Sequence, residues 1–105
     1  MIKAYVIGSL TQSSLIKKFA DQLLMDLPIK YGVRYVYSQP DKDFQDLVKE
    51  CYDNIEWADI IYVIKKKDGT IGNGVTYELE YAKRLKKQIV LIDTKDYIYK
   101  LIFKI

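Results

Sequence analysis

The stretch GNGVTYELEYAKRLKKQIVLID, Gly72–Asp93, holds the unit from which the fold can be read. Val75, Leu79, Ala82 and Leu85 recur at the spacing of one helix face, turning about 100° per residue. The pattern then changes. QIVLID (Gln88–Asp93) is a short, nearly continuous apolar run, the mark of a strand buried on both faces. One residue breaks the amphipathic order. Glu78 falls on the apolar side, between Ala82 and Leu85, whereas Glu80 points away with Lys83 and Lys87. A carboxylate on the core side, in what reads as the first turn of the helix, calls for a reason.

The same alternation extends upstream. IKAYVIGSL (Ile2–Leu10) reads as a buried strand ending in Gly-Ser. The segment TQSSLIKKFADQLLMDL then carries Leu15, Ile16, Phe19, Ala20, Leu23, Leu24 and Leu27 at helical spacing, with Ser13 or Thr11 as N-cap and Pro28 as the stop. VRYVYS (Val33–Ser38) is a second strand, and QPDKD is a loop. DFQDLVKECYDNI places Phe44, Leu47, Val48, Cys51 and Ile55 on one helix face. ADIIYVIKK (Ala58–Lys66) is a third strand. It is followed by the loop KDGTIGNG, with three glycines, and by the helix and strand quoted first. The apolar tail YIYKLIFKI reads as a final strand or short helix.

Strands that alternate with helices and are themselves apolar runs predict a parallel sheet covered on both faces. The expected architecture is α/β: a flavodoxin-like or Rossmann-like parallel sheet in a three-layer α/β/α arrangement, of order 2-1-3-4, with the tail as a possible fifth edge strand. In such sheets ligands bind beyond the carboxyl ends of the strands where the strand order reverses, here between strands 1 and 3. The loops at that point are GSLTQSS and KKKDGTIGNG.

Composition narrows the chemistry. A chain of 105 residues, half of them apolar, is expected to form one domain over residues 1–105. No apolar run is long enough to span a bilayer, and no signal peptide is visible, so a cytoplasmic protein without membrane attachment is expected. The single Cys51 excludes an intrachain disulfide and a Cys-rich zinc site. There is no histidine, which excludes Ser-His-Asp and Cys-His catalysis and His-ligated metals. No metal or cofactor is expected. Acid–base or nucleophilic chemistry must come from Asp, Glu, Lys, Tyr or Cys. The net charge of +3 and the dispersed lysines come with no nucleic-acid motif, so polymeric nucleic acid is not an expected partner.

The predicted crevice gives Glu78 its reason. A carboxylate near a helix N-terminus is favoured in its ionised form by the dipole and the free N–H groups. In a semi-enclosed cleft it can attack C1 of a sugar, or stabilise an oxocarbenium-like centre there. The alternative is a glutamate that merely complements the dipole.

Three motifs, YVIGSL, WADIIYVI and GNGVTYELEYAKRLKKQIVLI, occur in an order and spacing that resemble the nucleoside 2-deoxyribosyltransferase superfamily over most of the chain. That superfamily includes deoxynucleoside monophosphate N-glycosidases. The resemblance implies cleavage of the N-glycosidic bond of a 2′-deoxyribonucleoside or its 5′-monophosphate, with transfer to another base or to water. It implies Glu78 as the nucleophile and Tyr5 as the phenol that orients it. Gly8 and Ser9 match the loop against the substrate. The match departs in places. Glu80 stands where the family has Gly, and Gly72 where it has Asp or Ser for the 5′ end. Thr70, Asn73 and Thr76 are the substitutes nearby, and backbone N–H groups near Gly72 and Gly74 offer a cradle for a phosphate. The family's leaving-base Asp falls on Cys51 by ungapped count, with Asp53 two residues on. Asp59 matches the Ala-Asp that opens strand 3. Longer members close the site with a C-terminal segment and a neighbouring subunit, and the apolar tail with Tyr97 and Tyr99 leads us to expect a homo-oligomer, a dimer.

Two other readings compete. One is a non-catalytic module of the same fold that binds a nucleotide-like ligand, as a sensor or sequestering protein. The other is a generic flavodoxin-like or receiver-like domain. Receiver chemistry wants acids after strand 1, and GSLTQSS has none.

Overall fold

A computed structural model describes residues 1–25, 30–37 and 39–93. The elements run β1 (Ile2–Gly8), a 3-10 turn (Leu10–Gln12), α1 (Ser13–Met25), β2 (Tyr31–Tyr35), α2 (Phe44–Trp57), β3 (Ile60–Ile64), α3 (Asn73–Arg84) and β4 (Gln88–Ile92). The four strands form one parallel sheet of order β2-β1-β3-β4, as the alternating pattern predicts. The expected strand or helix in the tail, and the end of the first helix at Pro28, lie outside the described residues.

The two faces of the sheet separate by residue parity, because successive strand side chains point to opposite sides. Ala4, Val6, Ile60 and Ile64 pack with Ile16, Ala20 and Leu23 of α1. Tyr5, Ile7, Ile61 and Val63 pack on the other side with Ile55 of α2, Ala58, and Val75, Leu79 and Ala82 of α3. Each large aliphatic side chain removed from water contributes about 1.5–3 kcal/mol, before the cost of ordering the chain. β1 and β3 are central and buried along most of their length, which is why they read as unbroken apolar runs. Leu24 and Leu85, at helical spacing with the core residues, are exposed. Leu85 is the C-cap of α3, so it lies past the packed face.

The boundaries differ from the sequence reading where local hydrogen bonding decides. α1 does not begin directly from a Ser13 or Thr11 cap. Ser9 caps the 3-10 turn that leads into it, accepting from Thr11 N–H at 3.4 Å and sharing a 2.8 Å hydrogen bond with the Thr11 hydroxyl. α3 ends without glycine. Lys86 takes the left-handed conformation (φ 56°), Lys87 N–H donates to Ala82 C=O and Lys86 N–H to Lys83 C=O. This paired closure satisfies carbonyls that the helix end leaves open and turns the chain into β4.

Since all strands are parallel, the ends of β1 and β3 share one edge of the sheet with the start of α3. The strand order reverses between β1 and β3, and the crevice expected there exists.

Candidate active site

A cleft of about 500 Å³ opens at this edge. Its floor is Gly8 and Ser9, from the end of β1. One wall is the face of α2 that carries Phe44, Leu47, Val48 and Cys51, and the opposite wall is the first two turns of α3, with Gly74, Val75 and Glu78. The walls are mainly apolar, so a polar group inside them is conspicuous. Among the described residues that line the cleft, Glu78 is the one carboxylate, and none is a lysine or arginine.

The opposite faces of Glu78 and Glu80 are as the helix periodicity predicts: Glu78 is half-buried in the cleft and Glu80 is exposed. The placement of Glu78 along the helix is not. α3 begins at Asn73, so Glu78 is its sixth residue and no acid stands in the first turn. The dipole's influence falls off within that turn. Burial instead dominates and pushes the Glu78 pKa above its ordinary value, while a hydrogen bond from Cys51 pulls the other way.

Tyr5 is fully buried in the middle of β1, on the α2/α3 side of the sheet. Tyr5 borders a small void next to the cleft, together with Cys51 and Asn54. Burial raises the Tyr5 pKa strongly, with the nearby Cys51 and Glu78 adding to the rise, so the phenol stays neutral. The hydrogen-bonding partners of Tyr5 are Cys51 and Asn54. Cys51 therefore stands between Tyr5 and Glu78, engaging both, and its own pKa is pushed up to about 11, chiefly by burial and next by Glu78. The thiol is protonated at neutral pH.

The remaining expected site residues divide. Gly8, Ser9, Gly72 and Gly74 line the cleft. Gly8 is tightly enclosed by the protein itself: a Cβ there would stand 3.0 Å from Ile64 C=O and 3.2 Å from Ile16 Cδ1, so its neighbours would have to shift. Asn73 opens α3 between the two glycines but does not line the cleft. Asp53 is displaced from the site. It is exposed on α2 and borders an open groove with Arg34 and Lys49 on the β2 side, because two residues along a helix turn the side chain by about 200° from Cys51. Asp59 lies at the opposite edge of the sheet. Its Oδ2 accepts from Lys3 N–H at 3.0 Å and its own N–H donates to Lys3 C=O at 2.8 Å, which ties the starts of β1 and β3 together.

The glycine-rich loop shows a similar local use of its side chains. The Thr70 hydroxyl donates to Asp68 at 2.6 Å, and the Thr76 hydroxyl to Gly72 C=O at 3.1 Å. Lys66, which the sequence pattern places in solvent, instead leans over the α3 N-terminus. Its Cε and Nζ lie 3.7 and 3.8 Å from where a Gly72 Cβ would stand. Among the described residues no group of three or more Cys, Asp or Glu side chains is arranged to hold a metal ion, and no helix is long and apolar enough to cross a membrane.

No family model matches the sequence, and no curated protein matches it. Among solved structures, the chain is similar to a 2-desoxiribosyltransferase from Leishmania mexicana, with a TM-score of 0.64 at 17% identity. The similarity covers 90% of this chain and 65% of that one, so the chain spans just under two thirds of its neighbour's length. At this identity the likeness establishes a shared α/β fold.

Proposed function

We propose that the protein cleaves the N-glycosidic bond of a 2′-deoxyribonucleoside or its 5′-monophosphate, with Glu78 as nucleophile. The observation that carries the reading is a half-buried carboxylate facing an apolar cleft at the carboxyl edge of the sheet. In the proposed reaction an ionised Glu78 oxygen bonds to C1 of the sugar as the C1–N bond breaks, and the bonding pair leaves with the base, which takes up a proton. A second base or water then attacks C1 and releases the carboxylate. The walls formed by Phe44, Leu47, Val48 and Tyr52 suit a flat heterocycle. Lys66 beside Gly72 favours the monophosphate over the free nucleoside, since it brings positive charge to the place where the 5′ end is expected.

A homodimer is part of the proposal. Phe44 and Tyr77, 75% and 68% exposed, stand at the cleft mouth with Leu10 and Tyr37, an apolar rim that a second copy would cover. Light scattering on the purified chain tests it.

One observation favours the second reading, a binding module without turnover. Cys51, a protonated thiol, occupies the position that the resemblance assigns to an acid on the leaving base. The deciding experiment incubates the protein with a panel of deoxynucleosides and monophosphates, with and without an acceptor base, and detects free base by chromatography. Base release supports the enzyme. Ligand binding without release supports the module.

A further inference from the structure

A line of polar side chains crosses the protein interior from the β2 edge to the cleft. Arg34 of β2 stacks on the Trp57 ring, 4.2 Å from its centroid, and its Nη1 donates to Asn54 Oδ1 at 3.0 Å. Asn54 is buried, and its side chain engages the Tyr5 hydroxyl. Tyr5 in turn engages Cys51, and Cys51 engages Glu78. The order of these contacts fixes their direction. Guanidinium can only donate, so the Asn54 carbonyl accepts and its amide N–H₂ faces Tyr5 as donor. Tyr5 oxygen accepts from Asn54, which leaves its O–H to point at the Cys51 sulfur. The thiol proton then points at the carboxylate, an acceptor when ionised. Every link donates toward the cleft, starting from a fixed positive charge.

We infer that Cys51 is a positioning residue for Glu78: it is the link through which the Arg34–Asn54–Tyr5 chain reaches the carboxylate and holds it toward the cleft. Cys51 lines both the cleft that contains Glu78 and the small void that contains Tyr5 and Asn54, and it stands between them together with Val36, Tyr37, Gln39 and Leu47. A chain polarised in one sense strengthens its last bond, and a low-dielectric interior adds to that strength. The other titratable groups around Glu78 and Cys51 are Tyr52 of α2, Tyr77 of α3 itself and Tyr37 after β2, which line the cleft, with Tyr5 of β1, Tyr35 of β2 and the carboxylate Glu50 of α2 around the void behind Cys51; Glu50 is held by Lys42. Among the described lining residues, then, the hydrogen bond from Cys51 is what works against the burial that opposes ionisation, offsetting it in part. The consequence for turnover rests on the proposed function. The hydrogen-bond chain itself does not.

The test compares Cys51→Ala and Cys51→Ser with wild type by two readouts. The first is the titration midpoint of the Glu78 side-chain carboxyl, followed by carbon NMR. The second is the acid limb of the kcat/KM profile for base release. We expect Cys51→Ala to raise the midpoint by about half to one pH unit, the size of a weak donor's bond to a carboxylate. Cys51→Ser, which keeps a donor, should restore most of that shift, and the acid limb should move with the midpoint. An unchanged or lowered midpoint in Cys51→Ala, or the same rise in Cys51→Ser as in Cys51→Ala, overturns the inference, the latter because packing and not donation would then be the cause. If wild type releases no base from any substrate, the proposed activity fails, and the NMR titration still decides the chain.

Discussion

Replacing Glu78 with Gln keeps the size and one acceptor oxygen of the side chain and removes its charge. Two effects of opposite sign follow from the geometry of the cleft. As a nucleophile the amide is ineffective, so base release should fall by at least about a thousandfold, roughly 4 kcal/mol of barrier. Stability should move the other way. Burial raises the Glu78 pKa in the folded protein above its value in the unfolded chain, so the folded state holds the proton more tightly. Its contribution to stability is fully present below the unfolded pKa and is lost as pH rises through the folded one. Each unit of elevation corresponds to about 1.4 kcal/mol lost at neutral pH. Gln carries no such penalty. A gain on the order of 1 kcal/mol at pH 8 relative to pH 4 is a reasonable scale for relieving a buried site charge, and for a chain of this size it is about 4–8 °C in Tm. The assay is a pair of thermal or urea melts of wild type and Glu78→Gln at the two pH values, with base release measured on the same preparations. Retained release would remove Glu78 from the chemistry. An unchanged stability difference between pH 4 and pH 8 would show that the carboxylate is not desolvated, and the account of its environment would be wrong.

Other variants probe the rest of the site. Tyr5→Phe removes the hydroxyl that engages Cys51 and Asn54, and turnover should drop ten- to a thousandfold, about 1.4–4 kcal/mol of barrier, with little change in the affinity of a substrate analogue measured by calorimetry. Gly8→Ala drives a Cβ against the Ile64 carbonyl at 3.0 Å, so denaturant melts should show a loss of about 1–3 kcal/mol; a neutral variant would mean that β1 and β3 can part freely. Asp59→Ala breaks the tie to Lys3 N–H and should lower stability by about 0.5–1.5 kcal/mol while base release stays at the wild-type rate. Lys66→Ala should weaken monophosphate binding about two- to fivefold at low ionic strength and much less at high salt, leaving the free nucleoside unaffected; equal effects on both ligands would detach Lys66 from the 5′ end.

The architecture is legible in the sequence because it depends on signals that are local and strong. β1 and β3 are buried on both faces, and their unbroken apolar runs say so. Strand order then follows from the alternation with helices and from the rules of parallel crossovers. The ends of elements are less legible. Among the described residues the second strand runs Tyr31–Tyr35, where pairing with β1 holds it, two residues ahead of the expected start at Val33; the expected end at Ser38 lies outside the described residues. The first turn of α3 is hidden because Gly72, Asn73 and Gly74 look like loop, yet Gly72 is the N-cap and the other two are already helical. That shift of one turn changes the physics of Glu78, from a carboxylate favoured by the dipole to one opposed by burial.

The case of Cys51 and Asp53 shows how the site itself is partly hidden. The expected chemistry asks for an acid, and Asp53 is the nearest one. The sequence holds the contrary signal in plain view: Phe44, Leu47, Val48, Cys51 and Ile55 share one face of α2, and a residue two positions beyond Cys51 must point elsewhere. Periodicity alone thus assigns the cleft to Cys51, and Leu47, Val48 and Cys51 do line it. What periodicity cannot give is the depth of Tyr5 or the identity of its neighbours, since β1, β2 and α2 meet only through the sheet order. Arg34 is directly opposite Tyr5 in the β1–β2 register, and Asn54 is one turn along α2 from Cys51. A thiol is a poor proton donor compared with a carboxylic acid, so on its own Cys51 at that position weakens the case for catalysis. Coupled through Tyr5 and Asn54 to a guanidinium, the same thiol becomes the end of a polarised chain that favours the ionised form of Glu78 against the burial opposing it, and it is the ionised form that the proposed chemistry requires.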